Sequence, residues 1–241
     1  MRRILWLSFL LCLLPQIAMA ELKSVNLAGS ERFNYNNVDK SGFYWDILNA
    51  IFTEKGVTIN YQNLPYLIAA QQVSEQKIEG AFVYAKQPPR HVLYSEQPMD
   101  HTTLVALFKT DRIPDFKGMP TLEKKIVAFY KGYDFEYMMT VPFTKNSFNE
   151  LEIGLKKVRD TYADFLIDYE EDIKVASEAA FLDLSAFTMK PVMDFDVYFI
   201  TSDTPHGKEI MEFFNKGMKE LISSGKLEKM RDKWTTKKPT H

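Results

Sequence analysis

The stretch Ala81-Phe-Val-Tyr-Ala-Lys-Gln-Pro-Pro-Arg90-His-Val-Leu-Tyr-Ser-Glu-Gln-Pro98 decides how the rest of the chain is interpreted. A short apolar strand, 81–85, runs into a Pro-Pro turn and then a single arginine, and a second apolar run follows at 103–108. An arginine just past a strand end offers a rigid, bidentate donor pair to a carboxylate. The stretch therefore predicts a cleft with Arg90 at its edge.

The first twenty residues are predicted to be a secretory signal peptide. A positive start at 1–3 precedes an apolar run at 4–14 and the small-residue end 18–20, with cleavage before Glu21. The alternative, a membrane anchor, is disfavoured because the apolar run is too short for about 30 Å of hydrocarbon.

Cys12 is the only cysteine of the chain, and it lies inside the apolar run. No small residues precede it as a lipoprotein cleavage site would require, so no lipid anchor is predicted. The mature chain then has no cysteine and depends on its own core, which favours the bacterial periplasm over a small disulfide scaffold.

Charge and motifs exclude several classes of function. The chain has 30 Lys and Arg against 32 Asp and Glu, and loss of Arg2 and Arg3 brings the net charge from −2 to about −4. Nucleic-acid binding thus has no electrostatic basis. We find no cysteine nucleophile, no glycine-rich phosphate loop and no metal spacing among the four histidines. We therefore predict no catalytic residue, no metal site and no cofactor.

Hydrophobic periodicity predicts an α/β protein. The first block alternates strands and helices, with strands at 22–27, 57–61 and 81–85 and helices at 43–52 and 67–77. This order is typical of a parallel sheet covered by helices.

After a polar connection at 111–118 the pattern restarts. The predicted elements are a strand at 124–129, helices at 134–140 and 147–158, a strand at 162–167, a helix at 169–180, a strand at 195–201, a helix from Pro205 to about 223 and a last helix to Trp234. The two successive blocks favour two similar lobes over one continuous sheet.

Four pieces of the chain, in this order and spacing, resemble the extracellular solute-binding proteins of family 3, the amino-acid type. The pieces are Gly42-x3-Asp46-Ile47-Leu48, Arg90-x3-Tyr94-Ser95-x2-Pro98, the strand from Tyr162 to Asp168, and the closing helices with Pro205, Ile210, Phe213, Phe214, Asn215, Leu221, Ser224, Gly225, Leu227 and Trp234.

The resemblance implies a two-lobe, type II periplasmic binding fold, each lobe a mostly parallel sheet flanked by helices. Lobe one would be 21–108 plus 200–241, and lobe two 109–199, with hinge crossings near 107–111 and 194–199. A small-molecule ligand would lie between the lobes at the carboxyl ends of strands, and binding would close the cleft by a hinge motion.

The resemblance also assigns candidate ligand-binding residues. Arg90 matches the family arginine that pairs with an α-carboxylate, and the alternative is an ordinary ion pair. Asp168 matches the carboxylate for a ligand ammonium group, and the alternative is a cap for the following helix. Gly132 is kept where the family has Gly followed by Ser or Thr, but Tyr133 replaces the small hydroxyl residue.

Aromatic residues complete the predicted site. Tyr84 stands in the strand where the family commonly has Ser or Thr facing the ligand. Phe33, Tyr44 and Tyr66 are candidate walls for a ligand side chain, with burial in the core as the alternative for each. Because the Ser and Thr donors are missing, a larger, aromatic or polyamine-like solute stays open beside an α-amino acid.

The leading interpretation is a monomeric periplasmic protein that captures a small polar solute for an ABC importer. The second is a sensory protein that presents bound solute to a membrane receptor. The third is a dehydratase-like enzyme on the same fold, for which Glu79, Asp134 or Asp168 could serve as the acid.

Overall fold

A computed structural model describes residues 22–84, 91–131 and 135–235 of the chain. Within these residues the strands are β1 (Ser24–Gly29), β2 (Thr58–Asn63), β3 (Gly80–Tyr84), β4 (Val92–Tyr94), β5 (Asp100–Lys109), β6 (Ile126–Tyr130), β7 (Thr144–Phe148), β8 (Phe165–Asp168) and β9 (Phe187–Ser202). The α-helices are α1 (Phe43–Ile51), α2 (Tyr66–Ser74), α3 (Leu151–Arg159), α4 (Glu170–Ala179), α5 (Pro205–Ser223) and α6 (Lys226–Thr235). None of the described helices is long and apolar enough to cross a membrane.

All nine strands belong to one mixed sheet with the order β2-β1-β3-β9-β5-β8-β6-β7, and β4 pairs with β9. Pairing is parallel among β1, β2 and β3 and among β6, β7 and β8, as the repeated pattern predicts. The expectation of two separate sheets is wrong, because β5 and β9 run antiparallel through the middle and join the two parallel groups.

The long strand β9 explains this difference. Sequence periodicity predicts a strand over 195–201, whereas β9 begins at Phe187. Its first half carries Pro191, a residue that cannot donate to a ladder and so disfavours a strand assignment. The register of β5 and β9 shifts at Leu104 and Val105, which pair with Met193 and Pro191. The intervening Val192 is the extra residue of a bulge, where a proline is tolerated.

The predicted helix at 147–158 is also wrong in its first part. Residues 144–148 form β7, a polar strand at the edge of the sheet, and the helix starts only at Leu151. Phe148 ends β7 and packs its ring edge-on against Tyr130, which removes it from the predicted helical face. The predicted helix at 134–140 is a 3₁₀ turn over Phe135–Met138.

Helices cover both faces of the sheet. Around β3 and β9, Ala81, Val83 and Ile200 pack towards α2, while Phe82 and Phe199 point to the opposite face and pack with α1 and α5. This alternation follows from the two-residue period of a strand. The structure therefore buries the centre of the sheet on both sides.

Three residues of the family-like pattern hold elements together. Asp46 in α1 accepts hydrogen bonds from the Trp234 indole and the Lys233 ammonium of α6, both at 2.7 Å. Ser95 is buried, and its hydroxyl accepts from the Phe199 N–H at 3.2 Å. The Asn215 amide oxygen in α5 accepts from the Glu96 N–H at 3.0 Å. These contacts give the motif residues a structural role.

We predict that Asp46→Ala lowers the free energy of unfolding by about 1–3 kcal/mol, because it leaves the largely buried Trp234 N–H without its acceptor. Lys233→Ala is the matched control and should cost less than about 1 kcal/mol, since its ion pair is exposed. Urea unfolding measures both. Equal losses for the two variants would show that the exposed ion pair, and not the indole hydrogen bond, stabilises the contact between α1 and α6.

Candidate functional site

The loop between β1 and α1 carries an arginine in a tight turn. Arg32 and Asn36 form a β-bridge, and Asn34 adopts the left-handed conformation with φ 60°, which asparagine tolerates. The Asn34 and Tyr35 carbonyls accept the N–H groups of Phe43 and Tyr44, the first two residues of α1. The turn therefore caps the helix and is held in place by it.

Gly42 permits this close approach. Its φ is 123°, and a Cβ atom at this position would lie 2.5 Å from the Tyr35 carbonyl oxygen. Only glycine adopts this backbone conformation without strain. The Gly42 of the family-like pattern thus fixes the turn that carries Arg32 against α1.

The guanidinium group of Arg32 is buried between two tyrosine rings. Its central carbon lies 3.5 Å from the ring centre of Tyr35 and 3.6 Å from that of Tyr169, which follows β8. The Arg32 side chain is 4% exposed. Cations over desolvated aromatic faces are attracted by about 2 kcal/mol per contact.

Hydroxyl groups and a carboxylate meet the edge of the guanidinium. Nη1 donates to the Tyr44 hydroxyl at 3.3 Å and Nη2 to the Thr102 hydroxyl at 3.1 Å. Asp100 Oδ2 is 3.8 Å from Nη1, and the other Asp100 oxygen pairs with Arg231 at 3.3 Å. Burial raises the pKa of Asp100, and the charges of Arg32 and Arg231 oppose that rise.

Two further carboxyl groups lie at the end of β8 and in the first turn of α4. Asp168 is buried, and its Oδ1 accepts the N–H of Tyr169 at 2.8 Å. Asp172 is half-buried, yet its Oδ1 is inaccessible and has no hydrogen-bond partner among the described residues.

Both carboxyl groups hold a proton more strongly than an ordinary aspartate does. Burial raises the pKa of Asp168 well above its ordinary range, and the neighbouring Asp172 charge raises it further. Burial also raises the pKa of Asp172 to about 7, with Arg32 opposing the rise and Glu171 and Glu31 adding to it. Titratable groups with pKa values moved in this way are typical of functional sites.

A cavity of about 370 Å³ adjoins these groups. Four separate chain segments line it, with four acidic residues and one arginine. The lining residues are Ser30, Glu31, Arg32, Phe33, Asn37, Tyr130, Leu151, Glu152, Asp168, Asp172, Val175, Ala176 and Ala179. A pocket of this size suits a small molecule, and its acidic lining favours a cationic group.

Two of the sequence-predicted site residues meet at this cavity, Phe33 and Asp168. Asp168 does not cap α4, because the N-cap residue is Tyr169. Tyr66 is half-buried at the start of α2 and packs on the core instead of lining this cavity.

The structure gives fewer contacts for the other predicted site residues. Tyr84 is the last residue of β3, and its backbone pairs with Val197. Arg90, Gly132 and Tyr133 lie outside the described residues. Tyr44, a candidate ligand wall, is buried and bonded to Arg32 and Asp100.

Sequence reasoning missed Arg32, Tyr35, Tyr169 and Asp172. One available signal was the four-residue spacing of Asp168 and Asp172, which places Asp168 just before a predicted helix and Asp172 in its first turn. Arg32 directly precedes the predicted Phe33, but nothing in the sequence distinguishes it from an exposed loop arginine.

The fold matches that of type II periplasmic binding proteins. The chain belongs to the bacterial extracellular solute-binding proteins, family 3, whose model matches residues 25–237. The resemblance drawn from the sequence is thereby confirmed. A comparison with curated protein sequences gives no match.

Solved structures show the same fold at low identity. An amino acid ABC transporter substrate-binding protein from Streptococcus pneumoniae, bound to L-arginine, is 18% identical with a TM-score of 0.67, covering 86% of this chain and 92% of its own. A histidine kinase sensor domain is 13% identical (TM-score 0.71, covering 89% and 96%). An ancestral amino acid-binding protein, a precursor of cyclohexadienyl dehydratase, is 16% identical (TM-score 0.67, covering 88% and 95%).

We predict that the protein loses stability as pH rises from about 4 to 7. The folded Asp172 carboxyl, with a pKa of about 7, holds a proton that the unfolded chain releases near pH 4, so unfolding is favoured by rising pH in this window. Asp168 acts with the same sign. Asp172→Asn carries no titrating proton, so its pH curve should be flatter.

Urea unfolding between pH 4 and 8 measures this effect. The Asp172→Asn variant should exceed the wild type in unfolding free energy at pH 8 by up to a few kcal/mol, and Asp111→Asn, at an exposed turn, should follow the wild type. A variant that is weaker than the wild type at pH 8 would show that the folded protein needs a charged Asp172.

Proposed function

We propose that this protein captures a small polar solute, an amino acid or a related compound, in a cleft between two lobes and delivers it to an ABC importer. The observation that carries the proposal is the acidic cavity where Phe33 and Asp168 meet. Its lining comes from segments at or just after the carboxyl ends of β1, β6, β7 and β8, where α/β proteins bind their ligands.

The two lobes are residues 21–108 with 200–241, and residues 109–199. Support comes from the sheet, in which β5 and β9 are the two strands that connect the parallel groups. The bulge at Leu104 and Val105 interrupts their ladder midway and provides a place for bending. Hinge closure around a solute needs only a few residues that absorb the change in backbone angles.

The ligand contacts follow from charge and from the family resemblance. Asp168 offers a buried carboxyl group whose ionised form a cationic solute group would favour, and Phe33 offers apolar surface beside it. Arg90 binds the solute carboxylate, with Gly132 and Tyr133 on the opposite lobe. Tyr84 is the further candidate contact from lobe one.

The protein acts in the periplasm after removal of residues 1–20, consistent with membership of an extracellular family. A transport protein and a sensor would differ in their membrane partner, and a histidine kinase sensor domain has the same fold. Neighbouring genes for a permease and an ATPase are the expected arrangement for import. A neighbouring kinase or cyclase gene without a permease would instead make the protein a sensor.

We predict that a thermal-shift screen of amino acids, polyamines and small organic acids finds one class that stabilises the mature protein. At ten times its Kd such a solute should raise the Tm by about 3–6 °C. Arg90→Ala should abolish this shift and leave the Tm without solute nearly unchanged. Arg112→Ala, at an exposed turn position, is the control and should keep the shift.

Two results would contradict the proposal at different points. A screen in which no solute raises the Tm rejects the solute-binding function. An Arg90→Ala variant that binds normally but melts far earlier shows that Arg90 has a structural role.

A second candidate function, removal of water from a bound solute, is favoured by one observation. Asp168 and Asp172 are neighbouring acids with raised pKa values at one cavity, as a general acid at neutral pH requires. Mass spectrometry of each stabilising solute after incubation with the protein tests it. Loss of 18 mass units that disappears in Asp172→Asn would establish the enzyme, and an unchanged solute would reject it.

A further inference from the structure

Arg32 reaches from one proposed lobe to the other. Its turn, Tyr44, Asp100 and Thr102 lie in residues 21–108, while Tyr169 lies in residues 109–199. The guanidinium therefore lies where the two lobes meet, at one end of the cavity that Arg32 itself lines. The following inference rests on the proposed solute-binding function of this cavity.

We propose that the Arg32 side chain permanently fills a cation-binding site in the cleft and thereby determines which solutes the cleft accepts. The gap between Tyr35 and Tyr169 holds a planar cation face-on, with ring centres at 3.5 and 3.6 Å. Paired aromatic rings of this kind bind free guanidinium and ammonium ligands as well as side chains.

Carboxylates supply the charge that such a place needs. Asp100 lies 3.8 Å from the guanidinium, and the charges of Arg32 and the Asp168–Asp172 pair act on one another. The Tyr44 and Thr102 hydroxyls accept hydrogen bonds from the two terminal nitrogens. Every feature that would recognise a free guanidinium is present and is used by the chain itself.

The cluster contains two buried polar atoms without a hydrogen-bond partner among the described residues. These atoms are Arg32 Nε and Asp172 Oδ1, and both residues line the cavity. Buried polar atoms in proteins are otherwise nearly always paired. A solute in the adjoining space thus lies beside a gap that Arg32 already fills, and its own guanidinium or ammonium group is excluded from between the rings.

Removing the Arg32 side chain should convert the gap into a site for a free cation. Methylguanidinium chloride is the probe, and N-methylurea is its neutral control of the same shape, both at one ionic strength. We expect methylguanidinium to raise the Tm of Arg32→Ala by about 3–6 °C at ten times its Kd, and to leave the wild type unchanged. Arg159→Ala, which removes an exposed arginine paired with Asp160, should not respond.

Two further variants test the geometry. Arg32→Met fills the gap with an apolar chain and should not respond to methylguanidinium. The double variant Arg32→Ala, Tyr169→Leu loses one ring and should lose most of the response. An equal response of wild type and Arg32→Ala would overturn the proposal, as would a response of Arg32→Ala to N-methylurea of the same size.

A folding defect of Arg32→Ala would itself provide a readout. If Arg32→Ala does not fold alone, refolding should succeed with methylguanidinium and fail with N-methylurea; failure with both, while Arg32→Met folds, overturns it. The solute screen on the wild type is a separate readout. A failed screen rejects the solute-binding function, whereas absence of the cation response in Arg32→Ala rejects this inference alone.

Discussion

The buried guanidinium of Arg32 is stable only if its surroundings compensate for its lost hydration. Transferring one charge out of water costs several kcal/mol, and only close partners offset that cost. Here the partners are two ring faces, two hydroxyls and nearby carboxylates, contributed by the β1–α1 loop, α1, β5 and the β8–α4 junction. Each of these segments must be correctly placed for the charge to be tolerated, so one side chain couples distant parts of the sheet.

This coupling extends to the carboxyl-terminal helix. Asp100 lies between Arg32 and Arg231, and Arg231 belongs to α6. The same helix supplies Lys233 and Trp234 to Asp46 of α1, the helix whose first turn is capped by the Arg32 loop. The closing helix of the family-like pattern therefore holds Asp100 and α1 in position, without itself lining the cavity.

The sequence predicted the fold class well because its strongest signals are local. Strand and helix periods around Phe43, Val57 and Ile210 report burial directly, and Asp168 was recognisable as a polar residue at the end of an apolar strand. The continuous sheet was not predictable, because Pro191 masks the first half of β9 and only the bulge in the folded ladder accommodates it. The edge strand β7 was missed for a similar reason, since its polar residues carry no alternating pattern.

The Arg32 cluster could not be predicted, because its character arises from long-range contacts. In the sequence, Arg32 lies between Glu31 and Phe33 in a polar loop, and such arginines are mostly exposed. Tyr169 is 137 positions away, and the two meet only after the sheet has formed. The tyrosine itself resembles any aromatic residue at a helix start, so a buried cation site leaves no local mark in the sequence.

The charge of the cavity follows from this arrangement and links structure to solute choice. Near pH 7 about half of the Asp172 carboxyl groups hold a proton, and Asp168 also favours the protonated form. With both acids neutral, the cavity lining has two further acidic residues, Glu31 and Glu152, against one arginine, Arg32. With both ionised, the lining becomes more strongly negative and favours a cation in the adjoining space. A cationic solute that binds near Asp172 favours the ionised carboxylate, so its binding releases a proton and strengthens as the pH rises through 7.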